Sequence, residues 1–161
     1  MTFLKTALVC VAVLCALPTY AQTNINLGVI NADPNAAVEI TADNLSVDQA
    51  TGVAVFQGNV VVGQGDLRMS AGRIEVVYGG STGEISRLEA TNGVTFVTAT
   101  EAAEAASAIY DINAGTLIMR GDVLLTQGAS AISADSMNVN LSTGAAQMQG
   151  RVRTIFNQGG N

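Results

Sequence analysis

The residues of this chain best equipped for chemistry are its carboxylates. Asp43 and Asp135 each close an Ile-x-Ala-Asp run and lie 92 positions apart, and Asp48 and Asp66 sit beside glycine-containing turns. Paired acids can divide general acid and base work or hold a divalent cation. The partners such chemistry usually needs are missing. The chain has no histidine, and both cysteines, Cys10 and Cys15, fall within the first twenty-one residues. The imidazole bases, thiolate nucleophiles and nitrogen or sulfur zinc ligands that such sites usually use are therefore absent from the rest. Acids that recur at equivalent places of a repeat are more simply turn or strand-edge devices; a secreted hydrolase would have to gather them in one cleft. Gly63-Gln64-Gly65-Asp66 is half of a calcium-binding turn, which works only in tandem arrays, and its G-x-G precedes neither a helix nor a lysine. The sequence predicts no catalytic residue, no metal and no cofactor.

The elements that carry these acids are strands. Between Ile40 and Val62, apolar residues fall at alternate positions, Leu45 and Val47, then Ala54, Phe56, Val60 and Val62. That is the period of a strand with one buried face. Asp48-Gln49-Ala50-Thr51-Gly52 reverses the chain between the two runs. The same hairpin returns 92 residues later without insertion, from Ile132 through Met137, Val139, Thr143, Gly144 and Met148 to Val152. Weaker copies open at Met69 and near Ala103, so four units follow one another at about 29, 34 and 29 residues, the range of stacked repeat architectures.

Residues 1–21 read as a secretory signal peptide: Lys5, an apolar run from Ala7 to Leu17, Pro18, and a small-residue end at Ala21. The run is too short to span a bilayer. Export, to a compartment where disulfides are permitted, is the expected outcome. The remaining chain has six arginines against thirteen acids and no lysine, a net charge near −7. Nucleic acid is excluded as a partner, because phosphate binding needs a basic face.

Residues 22–38 form an N-terminal arm in which Ile25, Leu27 and Val29 alternate, enough for one extra strand before Asp33-Pro34-Asn35 turns the chain. The β domain spans 39–156 and a frayed tail 157–161. Gly79-Gly80-Ser81-Thr82-Gly83 breaks the second repeat as a loop, and Thr91-Asn92-Gly93 reads as a turn between short strands at 85–89 and 94–97. For Glu101 to Ala108 two signals conflict: alanine and glutamate favour a helix, whereas the repeat register demands a strand. The alternating apolar residues fit a plain core or a ligand groove equally. Methionines and alanines stand where bulkier residues would fill space.

The run I-x-A-D-x-L-x-V-D-x-x-T-G-x-A-x-F-x-G-N-V-V-V-x-Q-G, then L-x-M-S-A-x-x-I-x-V-x-Y, and G-R-V-R-T-I-F at 150–156 resemble the OstA-like domain of the LptA family, periplasmic lipopolysaccharide-transport proteins of Gram-negative bacteria. The resemblance covers residues 38–156. It implies an all-β, folded-over antiparallel sheet, a β-jelly roll or taco of about four repeats, open at both ends. It also implies a non-enzymatic bridge protein that holds lipid A acyl chains in an apolar groove. LptC is then expected at the N-terminal edge, LptD at the C-terminal edge, and further copies head to tail. The groove on this reading is lined by Leu45, Val47, Phe56, Val60, Met69, Ile74, Val76, Phe96, Leu117, Met119, Val123, Ile132, Met137, Val139 and Met148. Arg68, Arg73, Arg151 and Arg153 are candidates for lipid phosphates at its rim. The competing expectation is a scaffold module with a filled interior and no lipid.

Overall fold

The computed structural model describes residues 23–26, 36–80 and 83–156. The signal peptide, the Asp33-Pro34-Asn35 turn, residues 81–82 of the glycine-rich loop and the tail at 157–161 lie outside them. Every regular element described is a strand: β1 (Thr23–Asn26), β2 (Val38–Thr41), β3 (Asn44–Asp48), β4 (Val53–Gln64), β5 (Leu67–Tyr78), β6 (Ile85–Val97), β7 (Glu101–Asp111), β8 (Thr116–Gln127), β9 (Ser130–Asn140), β10 (Ala145–Gln149) and β11 (Arg153–Ile155). All pairings are antiparallel, in the order β1-β10-β9-β8-β7-β6-β5-β4-β2, with β3 also on β4 and β11 also on β9. The sheet does not close on itself. One end is formed by β2 and β3 and the other by β10, β11 and β1.

The hairpin turns are made by the residues that the sequence marks for them. Asp48 Oδ1 accepts the Ala50 N–H at 2.8 Å, and Gly52 adopts a φ of +66°. At the equivalent turn, Asn140 Oδ1 accepts from Ser142 and Thr143 at 3.0 Å. These side chains imitate a backbone turn and release the chain to reverse. Because the Asp48 carboxylate accepts the Ala50 and Thr51 amides, its pKa is lowered.

The sheet folds over because every second long strand, β4, β6 and β8, is broken at the same level. Pairs of consecutive residues with positive φ recur at Gly58-Asn59, Asn92-Gly93, Gly121-Asp122 and Gly150-Arg151. At these places two residues stand opposite one, and the register slips between Gln57 and Val60, Thr91 and Val94, and Arg120 and Val123. An extra residue in left-handed conformation bends a strand and sharpens its twist without ending it. Residues 91–93 therefore do not separate two short strands: Ile85–Val97 is one bent strand. Along the fold line the backbones approach closely. A Cβ on Gly72 would lie 2.8 Å from Asn92 Cβ, and one on Gly121 would lie 2.7 Å from Ala106 Cβ.

The repeated aspartates belong to this line. The Asp43 N–H donates to Gly58 O, and the Asp135 N–H to Gly150 O, both at 2.9 Å. Asp43 Oδ2 accepts from Asn59 Nδ2 at 2.8 Å, and Asp135 Oδ1 from Arg151 Nε at 2.8 Å. Each carboxylate pins a bulge. Six strand spacings separate the two, about 29 Å at the usual interval, so they do not form a pair.

Glu101 to Ala108 is strand throughout. Ala103, Ala105 and Ala108 are buried between β6 and β8. Their small size serves close packing there, which overrides the helix propensity of alanine.

Candidate functional site

Cross-strand register turns the alternating residues into continuous rows on one face. Leu45, Phe56, Ile74, Ala90, Ala108, Met119, Met137 and Met148 stand opposite one another from β3 to β10. A second row on the same flank runs Val47, Ala54, Val76, Leu88, Tyr110, Leu117, Val139, Ala146. Beyond the fold line a third row runs Ile40, Val62, Met69, Phe96, Ala103, Leu125, Ile132, Thr154. Bending about the line brings these flanks face to face. The interior they enclose is predominantly apolar along the sheet.

All fifteen residues assigned to the groove share this inner face, but their exposure differs. Twelve are buried, Phe56 is half-buried against them, and Leu45 and Val47 are 57% and 60% exposed. The last two lie on β3, an edge strand, where the rows end without a neighbour on the far side. Away from the edges, side chains close on one another: Ile74, Val76, Leu117 and Met119 have no exposed surface.

The four arginines stand elsewhere. Arg68 and Arg73 alternate with the buried Leu67, Met69 and Ile74 and occupy the outer face. Arg68 donates to the carbonyls of Gly65 and Leu67, and Arg73 pairs with Glu75 at 3.0 Å. Arg151 bridges Asp135 and Asp122, and its hydrogen bond to Asp135 raises its pKa. Arg153 is exposed on β11.

Periodicity gives no warning of the polar groups inside. Gln64 and Tyr110 are 1% and 2% exposed. The Tyr110 hydroxyl donates to Gln64 Oε1 at 2.8 Å, and Gln64 Nε2 donates to Ala36 O at 3.3 Å. Tyr110 belongs to the flank of Leu88 and Leu117, whereas Gln64 lies two residues beyond Val62 on the opposite flank. The bond therefore ties the two flanks together across the slot. Burial raises the Tyr110 pKa, which keeps the hydroxyl a donor. Glu101, 6% exposed, is the other buried polar residue among those described. Burial pushes its pKa up, but hydrogen bonds from Thr98, Thr100 and Gln127 outweigh that and leave it lowered.

The arrangement offers apolar surface and backbone edges. Among the described residues no group of three or more His, Cys, Asp or Glu side chains could hold a metal ion, and no helix is long and apolar enough to cross a membrane.

Comparison with known proteins agrees with this architecture. The crystal structure of LptH, the LptA-homologous periplasmic component of the lipopolysaccharide transport device of Pseudomonas aeruginosa, superposes with a TM-score of 0.71 at 12% identity, over 78% of this chain and 99% of LptH. The fold is thus shared. An uncharacterized protein of Rhizobium meliloti strain 1021 is 32% identical over 127 residues, 72% of this chain and 68% of the relative. The family model described as LptA/(LptD N-terminal domain) LPS transport protein matches residues 39–145, and the chain belongs to that family.

Proposed function

We propose that this chain is a periplasmic, non-enzymatic bridge that holds the acyl chains of lipopolysaccharide between its two flanks and passes the lipid along a head-to-tail stack. The observation that carries this reading is the set of apolar rows that cross the whole sheet and reach its edges. Each methylene moved from water to an apolar lining is worth about 0.8 kcal/mol, so a chain of about twelve carbons gains at most on the order of 10 kcal/mol. An open sheet leaves the sugars in solvent, and its edges offer unpaired N–H and C=O groups to another strand. On this reading a partner of the LptC kind adds to β2 and β3, one of the LptD kind adds at the opposite end, and copies of the chain join in the same way. Contacts of this type that do not close into a ring produce filaments.

The closely packed interior means that a guest must part the flanks. Three methionines in one row, Met119, Met137 and Met148, are side chains that repack readily. The Tyr110–Gln64 bond holds the flanks together until then. The outer-face arginines reach phosphates only where the headgroup wraps past the edges, which points to Arg151 and Arg153 before Arg68 and Arg73.

The test is binding of fluorescent lipopolysaccharide to the purified chain lacking residues 1–21. Saturable binding that Phe56→Glu weakens is expected; no binding would refute the reading. Phe56 is chosen because it is half-buried near the edge, whereas a charge at Met119 would unfold the core. A second reading, a scaffold module with a filled interior, rests on the complete burial of the central row, and predicts no lipid binding at all.

A further inference from the structure

The C-terminal end of the sheet already carries a strand. β1 pairs with β10 in antiparallel sense, with Thr23 opposite Met148, Asn24 opposite Gln147, Ile25 opposite Ala146 and Asn26 opposite Ala145. The chain's own repeat defines what that position is for. Because the first and last hairpins match at an interval of 92 residues, β10 is equivalent to β4. The inner residues of β5 come one repeat after those of β3. On β4, β5 places Ile74 opposite Phe56 and Val76 opposite Ala54. A second copy seated on β10 by the same rule places its β3 there, with Leu45 opposite Met148 and Val47 opposite Ala146. Those are the register positions of Thr23 and Ile25. The sense agrees as well: β4 and β10 are six antiparallel steps apart and run the same way, so β3 of a second copy meets β10 antiparallel, as β1 does.

We infer that β1 is a placeholder for β3 of a second copy, and that it withholds the C-terminal edge until it is displaced. This rests on the proposed head-to-tail joining of copies and adds its control. One edge cannot hold both strands. β1 makes four residue pairs, a short and weak patch, and its advantage over an incoming strand is that it belongs to the same chain. An incoming copy offers more: β3 for β10 and also β2 for β11, which carries no such cover among the described residues. Among the described residues the edge at β2 and β3 has no counterpart to β1, so of the strands described only the C-terminal edge carries a guard. Copies are then held apart when dilute and joined when crowded or when a partner removes β1.

The experiment compares three chains by sedimentation velocity across a range of concentrations: one beginning at Gln22, one beginning at Gly28, and one beginning at Gln22 with Asn24→Pro and Asn26→Pro, which cannot supply ladder N–H groups. If about one edge in ten is uncovered at rest, loss of β1 tightens self-association roughly tenfold, because apparent affinity scales with the competent fraction. Both altered chains are expected to show this. Unchanged or weaker association in both would overturn the placeholder and leave head-to-tail joining intact. If no chain associates at any concentration, the joining itself is wrong and the placeholder falls with it.

Discussion

Replacing Gly121 by alanine tests the fold line directly. At a φ of +84° a residue with a Cβ loses about 1–2 kcal/mol relative to glycine. The new methyl would also stand 2.7 Å from Ala106 Cβ, well inside the 3.5–4.0 Å or so at which carbons attract. Relieving that contact moves β7 against β8 and costs about 1–3 kcal/mol, as overpacking does elsewhere. Gly128 supplies the control, since its φ of +57° brings a similar backbone penalty with no atom within 4 Å of the added carbon. Equilibrium unfolding in urea, with a slope of about 2 kcal/mol per molar, should move the midpoint down by about 1.5 M for Gly121→Ala. For Gly128→Ala the same slope gives about 0.5 M. Equal shifts would mean that the bulges are ordinary turns and that the close approach along the line contributes nothing.

Other consequences are as open to measurement. Tyr110→Phe leaves Gln64 Oε1 buried without its donor; it should lower stability by about 1–3 kcal/mol and speed acyl uptake in stopped-flow fluorescence, and a slower uptake would count against the bond as a tie. Glu101 has a lowered pKa, so the unfolded state binds the proton first on acidification. The stability it supplies is complete above the ordinary glutamate value of about 4.5 and disappears as pH falls through the lowered value. The advantage of the native chain over Glu101→Gln should therefore shrink between neutral pH and pH values below 4.5 in thermal melts, and a constant difference would contradict the assignment. Leu45→Asp with Val47→Asp, both exposed on the β3 edge, should weaken self-association without shifting the thermal midpoint by more than a few degrees; a folding defect instead would place these side chains in the core.

Much of the architecture is legible in the residues because a strand with one buried face must alternate, and because a duplicated hairpin repeats its turns. Asp48 and Asn140 cap turns as their chemistry suggests. The fold line is harder to read, since Asn92-Gly93 supplies the same positive φ to a bulge inside a strand as to a turn that ends one; only pairing on both sides distinguishes them. Glu101 to Ala108 was ambiguous for the opposite reason, as its alanines satisfy a helix locally and close packing globally. Alternation also assigns a face without assigning depth. Leu45 and Met119 obey the same period, yet one lies at an edge and the other in the middle of the sheet. The arginines near the inner residues in sequence stand on the outer face for the same reason, as neighbours in a strand point opposite ways. Nothing local marks Gln64 and Tyr110 as partners, because 46 residues separate them and only folding over the line brings them together.

The claim that lipid occupies the space between the flanks is tested most directly by photocrosslinking. A photoreactive residue at position 56, on the inner face, is compared with one at position 61, which is 40% exposed on the outer face of the same strand. With purified lipopolysaccharide, adducts are expected at 56 and not at 61. Adducts at both positions alike, or at 61 alone, would contradict an interior site.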